Sequence, residues 1–236
     1  MAADLVNIDL DDDYLTWERK EPITYHPAPY SDDVAITVPL AKRRAPTLKE
    51  QMTSGGVYTS TDLIWIIPTL EAPALDQEFP PKPADTIEDG DGRLWTVLSQ
   101  MPRGALKSFW RLVTRDLALT CELRDAISIL RPVITVGDAA EPVFVWPPDG
   151  GSYVAVDLPA RVQPSSDGIG KRNEIETAQT QFNVIYDDRR QERVELRSGD
   201  RIVVTQGTRA GQVLRWVSRS NEERIDELPY LVCERV

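Results

Sequence analysis

The chain carries a single histidine, His26, so any Ser-His-Asp or Cys-His arrangement has only one imidazole base to draw on. It stands in the turn-rich run His26-Pro27-Ala28-Pro29-Tyr30, where an exposed and inert side chain is expected. The two cysteines, Cys121 and Cys233, lie 112 positions apart, which is no metal-site spacing. Both are expected as small core residues with free thiols, as in a reducing compartment. Glu88-Asp89-Gly90-Asp91-Gly92 resembles a calcium loop in composition only. An EF-hand needs alternating acids and a glutamate at its twelfth position, where this chain has Thr96. Gly55-Gly56 and Gly150-Gly151 lack the Lys and Ser/Thr that complete a phosphate-cradling loop. Carboxylates abound, yet no pair stands out as a glycosidase dyad. No catalytic residue, metal or cofactor is therefore expected, and an enzyme is the least favoured class.

Such side chains must be carried by elements, and composition bounds what those elements are. A chain of 236 residues makes one large domain or two of about 100 each. Hydrophobic residues at 41% and charged residues at 28% fit a soluble globular protein. No apolar run approaches the roughly 18 residues of a membrane span. Met1-Ala2-Ala3-Asp4 lacks the basic region and apolar core of a secretory signal. The net charge of -11 is uneven: residues 1–33 hold nine acids against Arg19 and Lys20, whereas residues 34–118 balance at ten of each. Without a long basic stripe, binding to nucleic acid by phosphate neutralisation is not expected. An acidic surface instead repels DNA and keeps it from sticking.

Residues 1–22 read as an extended arm, with Asp9 to Asp13 opposing packing and Tyr14 and Trp17 favouring it. Short alternating runs follow, among them Ile23–Tyr25, Val34–Val38 and Leu63-Trp65-Ile67. Ala41–Met52 is basic and lacks core periodicity, so a projecting connection is expected there. Five prolines between residues 68 and 84 make a stiff, helix-free lead into Asp85-Thr86-Ile87. Asp89-Gly90 and Asp91-Gly92 then supply a tight hairpin turn before Trp95 and Val97. Leu119, Leu123, Ala126, Ile127 and Leu130 fall at helical spacing, which predicts a short helix or a strand running into a linker. Val133–Val136, Val143–Trp146, Tyr153–Val156 and Ala160–Gln163 restart the strand pattern. Ser165–Thr180 is polar and loop-like. The six tryptophans, Trp17, Trp65, Trp95, Trp110, Trp146 and Trp216, mostly fall at strand positions, where core or subunit-interface packing is expected over a ligand cage.

The pattern repeats. Leu63, Trp65 and Ile67 match Phe182, Val184 and Tyr186 at a displacement of 119, as Leu112–Arg115 matches Leu231–Glu234. Asp85-Thr86-Ile87 matches Asp200-Arg201-Ile202 at 115, and Trp95-Thr96-Val97 loosely matches Leu214-Arg215-Trp216. The expected fold is mainly all-β: two small antiparallel β-barrel or sandwich modules with long loops, an N-terminal arm and at most one or two short helices. The expected boundaries are an arm at 1–22, a module at 23–118, a linker or short helix at 119–132, and a second module at 133–236.

Pro83-Ala84-Asp85-Thr86-Ile87, Leu94-Trp95-Thr96-Val97 and Trp110-Arg111-Leu112-Val113 resemble the strands of bacteriophage neck proteins, as do Gly199-Asp200-Arg201-Ile202, Arg215-Trp216-Val217 and Leu231-Val232-Cys233-Glu234. This is the head–tail connector, head-completion and stopper family, whose members typically carry one small barrel; a doubled chain departs from that pattern. The resemblance implies a structural virion protein, assembled in the host cytoplasm. It would form a six- or twelve-fold homo-oligomer ring between portal or adaptor and tail proteins, passing genomic DNA without sequence-specific binding and touching no membrane. Candidate contacts to partners or the channel are Lys42, Arg43, Arg44, Glu88, Asp89, Asp91, Lys171 and Arg172. Alternatives are a baseplate or capsid-decorating protein, and a monomeric carbohydrate- or peptide-binding module using Trp146 and Tyr153.

Overall fold

Alternation of apolar and polar residues every second position builds strands with one buried face, and short strands of this kind close on themselves here. The computed structural model describes residues 20–28, 34–102, 108–137, 139–165, 181–190, 194–219 and 228–236. The chain divides into two units, Met1–Thr120 and Cys121–Val236. The first is a closed antiparallel barrel of β1 (Lys20–His26), β2 (Ile36–Arg44), β3 (Leu63–Pro68), β4 (Thr86–Glu88), β5 (Leu94–Gln100) and β6 (Phe109–Arg115), in the order β1-β2-β3-β6-β5-β4. Its core holds Tyr25, Trp65, Ile67, Ile87, Trp95, Val97, Trp110 and Leu112. Three short helices occur among the described residues: α1 (Leu48–Thr53), α2 (Ala74–Gln77) and α3 (Leu117–Thr120). A Thr47–Glu50 capping box starts α1.

The second unit is a closed barrel of β7 (Asp125–Arg131), β10 (Ser152–Pro164), β11 (Gln181–Tyr186), β12 (Arg201–Gln206), β13 (Val213–Arg219) and β14 (Tyr230–Arg235), in the order β10-β11-β14-β13-β12-β7. Between its first two strands stands a separate hairpin of β8 (Val133–Val136) and β9 (Pro142–Val145). Counting strands within each barrel, the two share one neighbour order.

The likeness extends to register. Leu63 faces Thr114 in the first barrel, and Phe182 faces Cys233 in the second, both shifted by 119. Thr86 faces Thr96, as Arg201 faces Arg215. Both last pairings slip at one place: between Val97 and Ser99 in β5, and between Trp216 and Ser218 in β13. A β-bulge at the same position of both copies is a specific feature of each strand, since it re-aims the side chains beyond it. The two barrels thus share their strand order, these pairings and this one irregularity.

Two expectations about the elements are corrected, and one left open is decided. Of a short helix or a strand running into a linker, residues 125–131 take the strand, and they belong to the barrel and not to a linker. They form β7, paired on both sides by β10 and β12, with Ala126 through Leu130 all buried. Flanking strands satisfied both edges of a β-branched run, and that pairing outweighed the helical spacing. Val133–Val136 and Val143–Val145 pair with each other and not with the barrel. Ala41–Arg44 is no projecting connection, because it completes β2 and buries Ala41. Residues 1–19 and 166–180, most of the expected arm at 1–22 and of the polar loop, lie outside the described residues, while residues 20–22 open β1 and so belong to the barrel.

Candidate interaction site

The acidic turn between β4 and β5 is held by one of its own acids. Asp89 is buried and accepts from the backbone N–H groups of Asp91 (3.0 Å) and Arg93 (2.9 Å), from Trp95 Nε1 (2.9 Å) and from Arg43 Nη1 (3.0 Å). Burial alone would raise its carboxyl, but these donors and the Arg43 charge hold it below the usual range. Gly92 supplies the left-handed residue of the turn at φ 77°. Asp89 is therefore a scaffold group and not a surface contact. Asp91 is exposed at the tip, and Glu88 is half-buried, with Oε2 3.6 Å from His26 Nε2.

The basic cluster is likewise spent on the fold. Arg43 bridges Glu21 (2.8 Å) and Asp89 while lying over the Trp65 ring at 5.6 Å. Arg44 grips Glu50 of α1 through both oxygens, at 2.8 and 2.6 Å. Lys42 sits on β2 opposite Lys20 and Ile66. Lys171 and Arg172 lie outside the described residues. The expected exposure of His26 is also corrected: it ends β1 and is 2% exposed, because strand pairing with β4 draws the turn residue inward. Cys233 is fully buried, and burial pushes its thiol up to about 12, whereas Cys121 is half-buried.

The two Asp-x-Ile motifs share one structural task. Asp85 accepts from the N–H of Lys82, three residues back, as Asp200 accepts from that of Arg197. Each carboxylate is buried and then completed differently. Asp85 takes the Tyr25 hydroxyl and the Ala28 N–H, while Asp200 takes Arg131 through Nε (3.1 Å) and Nη2 (2.9 Å). The preceding residue is left-handed in both copies: Ala84 at φ 75° and Gly199 at φ 95°. The motif is a device for entering the strand, and its acids are occupied.

Beyond these candidates, the second unit carries an apolar hairpin next to a cluster of arginines. The hairpin β8–β9 exposes Val133, Ile134, Val136, Val143 and Phe144, with Ile134 62% and Val136 78% exposed. At its base, Phe144 stacks on Trp146 at 5.9 Å, and the Arg201 guanidinium lies 3.4 Å over the Trp146 ring. Trp146 Nε1 donates to the Gly199 carbonyl at 3.2 Å, which ties the hairpin base to the start of β12. A cleft of about 460 Å³ opens here, lined by Phe144, Trp146, Arg201, Arg215 and Arg235. Among the described residues, only Arg215 of these arginines has a carboxylate partner, Glu234 at 2.9 Å. Asp200 also borders the cleft, but its carboxylate belongs to Arg131.

Sequence reasoning offered Trp146 as a binding platform but passed over the arginines around it. The three arginines are scattered along the chain, and only barrel register gathers them. The repeat did contain a signal. At the shifts that align the copies, Arg201, Arg215 and Arg235 replace Thr86, Thr96 and Asp116 of the first barrel, all three buried there. One copy thus gained three cations together with a hairpin for which the first barrel has no counterpart among its described residues.

No family model matches the chain, and none of the curated proteins matches it. Among solved structures it is similar to protein SF1141 from Shigella flexneri 2a, at 20% identity over 48% of this chain and 92% of that one, with a TM-score of 0.32.

Proposed function

We propose that the chain is a structural component of a tailed-phage neck, a ring-forming protein that joins the portal side of the head to the tail and surrounds the passing DNA. The observation that carries this reading is the apolar hairpin β8–β9, whose exposed side chains favour burial against another subunit. Supporting it, the duplicated barrels consume the ionic groups of the acidic turn and of Asp85, Asp200 and Arg43 internally, as a load-carrying scaffold would. The net charge of -11 suits a channel wall that must not grip DNA. Charge at exposed Asp91 remains available to such a wall.

The test is assembly of the full chain. Sedimentation velocity and negative-stain imaging should find closed rings, and Ile134→Asp with Phe144→Asp should reduce them to single copies. A strict monomer that never joins portal or tail particles overturns the reading. A peptide-binding module is the second reading, favoured by the position of Trp146 in the arginine cleft. It predicts ligand-dependent tryptophan fluorescence without any ring.

A further inference from the structure

The cleft beside the hairpin has a specific chemistry. Arg201 and Arg215 face each other directly across β12 and β13. Like charges in that position oppose strand pairing. Arg201 is partly served by the Trp146 ring, and Arg215 by Glu234, but Arg235 has no ion pair among the described residues. The floor is aromatic, with Phe144 stacked on Trp146. A pocket of this kind recognises carboxylates with an attached ring or apolar side chain. On a chain of net charge -11 it stands against the general field, so an acidic segment is drawn to it.

Resting on the ring reading, we infer that this cleft is the receptor for an acidic, aromatic peptide segment, and that its occupant is residues 9–17 of a second copy of this chain. That segment reads Asp9-Leu10-Asp11-Asp12-Asp13-Tyr14-Leu15-Thr16-Trp17 and places four carboxylates in five positions with no base among them. The other dense acidic run, Glu222–Glu227, is interrupted by Arg224. Asp89, Asp187 and Asp200 are already held by arginines of their own unit. Residues 9–17 thus combine an anionic run free of bases with two aromatic rings. The carboxylates meet Arg201, Arg215 and Arg235, and Tyr14 or Trp17 meets the Phe144–Trp146 stack. Donation between copies closes a ring head to tail, since donor and receptor are different patches of one chain.

The test uses the full chain with Asp9, Asp11, Asp12 and Asp13 all changed to Asn, so that the receptor is not filled by its own supply. The probe is a labelled peptide of residues 6–19, titrated by fluorescence anisotropy. Saturable binding is expected, weakened about tenfold by Arg235→Glu and again by Arg201→Gln, and falling steeply between roughly 0.05 and 0.5 M salt. Circular dichroism of each variant guards against lost folding. A peptide carrying Lys at positions 11–13 should be refused by the unaltered cleft and regain binding to Arg201→Glu with Arg235→Glu. If the unaltered chain assembles while the cleft of the Asn variant ignores the peptide, this inference alone is overturned. If the Asn variant captures the peptide while the unaltered chain stays monomeric at every concentration, donation between copies is overturned together with the ring reading. Duplex DNA that binds more tightly than the peptide through the same three arginines also overturns it, in favour of a phosphate backbone.

Discussion

Replacing Arg131 with Met should destabilise the second barrel selectively. The Asp200 carboxylate has no exposed side-chain surface and takes a bidentate pair from Arg131, with one further donor in the Arg197 N–H. Met keeps the bulk of the arginine stem and removes both charged donors. Stripping one partner from a buried pair costs about 3–5 kcal/mol, because the remaining charge stays uncompensated. Arg131 is 24% exposed, so water reaches part of the vacated space, which places the expectation near the lower figure, about 3 kcal/mol. For a unit of this size that is a melting shift on the order of 10 °C. Hydrogen exchange by mass spectrometry in a urea series resolves the two units. Protection should fall in residues 121–236 and hold in β1–β6. The further change Asp200→Asn should recover about half of the loss or more, since the amide oxygen still accepts from Arg197 and no buried charge remains. A loss below about 1 kcal/mol, or an equal loss in both barrels, would refute the reasoning that this acid is a buried pin of its own copy.

Three smaller effects follow from neighbouring features. Ala84 is left-handed where the second copy has Gly199, so Ala84→Gly should stabilise the first unit by roughly 0.5–1 kcal/mol, the strain relieved less the added freedom of the unfolded chain. Gly199→Ala should cost a similar amount, because its Cβ would meet only ordinary contacts, Pro132 Cγ at 3.5 Å being the nearest, and chemical denaturation reads both. Glu50 is held down to about 2 by the Arg44 hydrogen bonds, so its support of α1 is present above the unfolded value near 4.5 and is lost as pH falls toward 2. Carboxyl NMR titration should find that low midpoint and see it rise in Arg44→Gln; a midpoint above 4 in the native chain refutes the link. Cys233 should resist a thiol reagent at pH 8 until the barrel unfolds, while the half-buried Cys121 reacts first. Its raised folded value implies stability that is full below about 9 and declines as pH rises toward 12. Two equally fast thiols would contradict the packing.

Local alternation was a sound guide where a strand has one wet face. Phe182, Val184 and Tyr186 line the second core, as their spacing predicts, and Trp65 and Ile67 line the first with Leu63 packed against it, although Ile64 on the other face of β3 is buried as well. The repeat was legible for the same reason, since duplicated barrels keep the same inward positions. β7 was legible only as one of two readings, because a strand buried on both faces loses its alternation, and Leu119 to Leu130 then mimics a helical stripe. At Arg43, Arg44 and Asp89, polarity along the chain does not reveal the ion pairs that the fold makes, Arg43 with Asp89 of the β4–β5 turn and Arg44 with Glu50 of α1. The arginine cleft was hidden differently, as its members come from three strands and the hairpin base and meet only through register.

The hairpin β8–β9 leaves and re-enters its barrel at a single rung, where Arg131 and Ser152 face each other. Everything between them, residues 132–151, is topologically a detour: no barrel strand needs it to find its neighbour. Such a detour can be lengthened, shortened or exchanged without redrawing the barrel, so the surface it presents is free to change faster than the scaffold beneath it. Two copies of one barrel fused in a chain add to this freedom, because one copy keeps the plain form while the other carries the attachment. Grafting the hairpin into the corresponding β1–β2 connection would ask whether the attachment alone, moved to the other barrel, carries the contact with it.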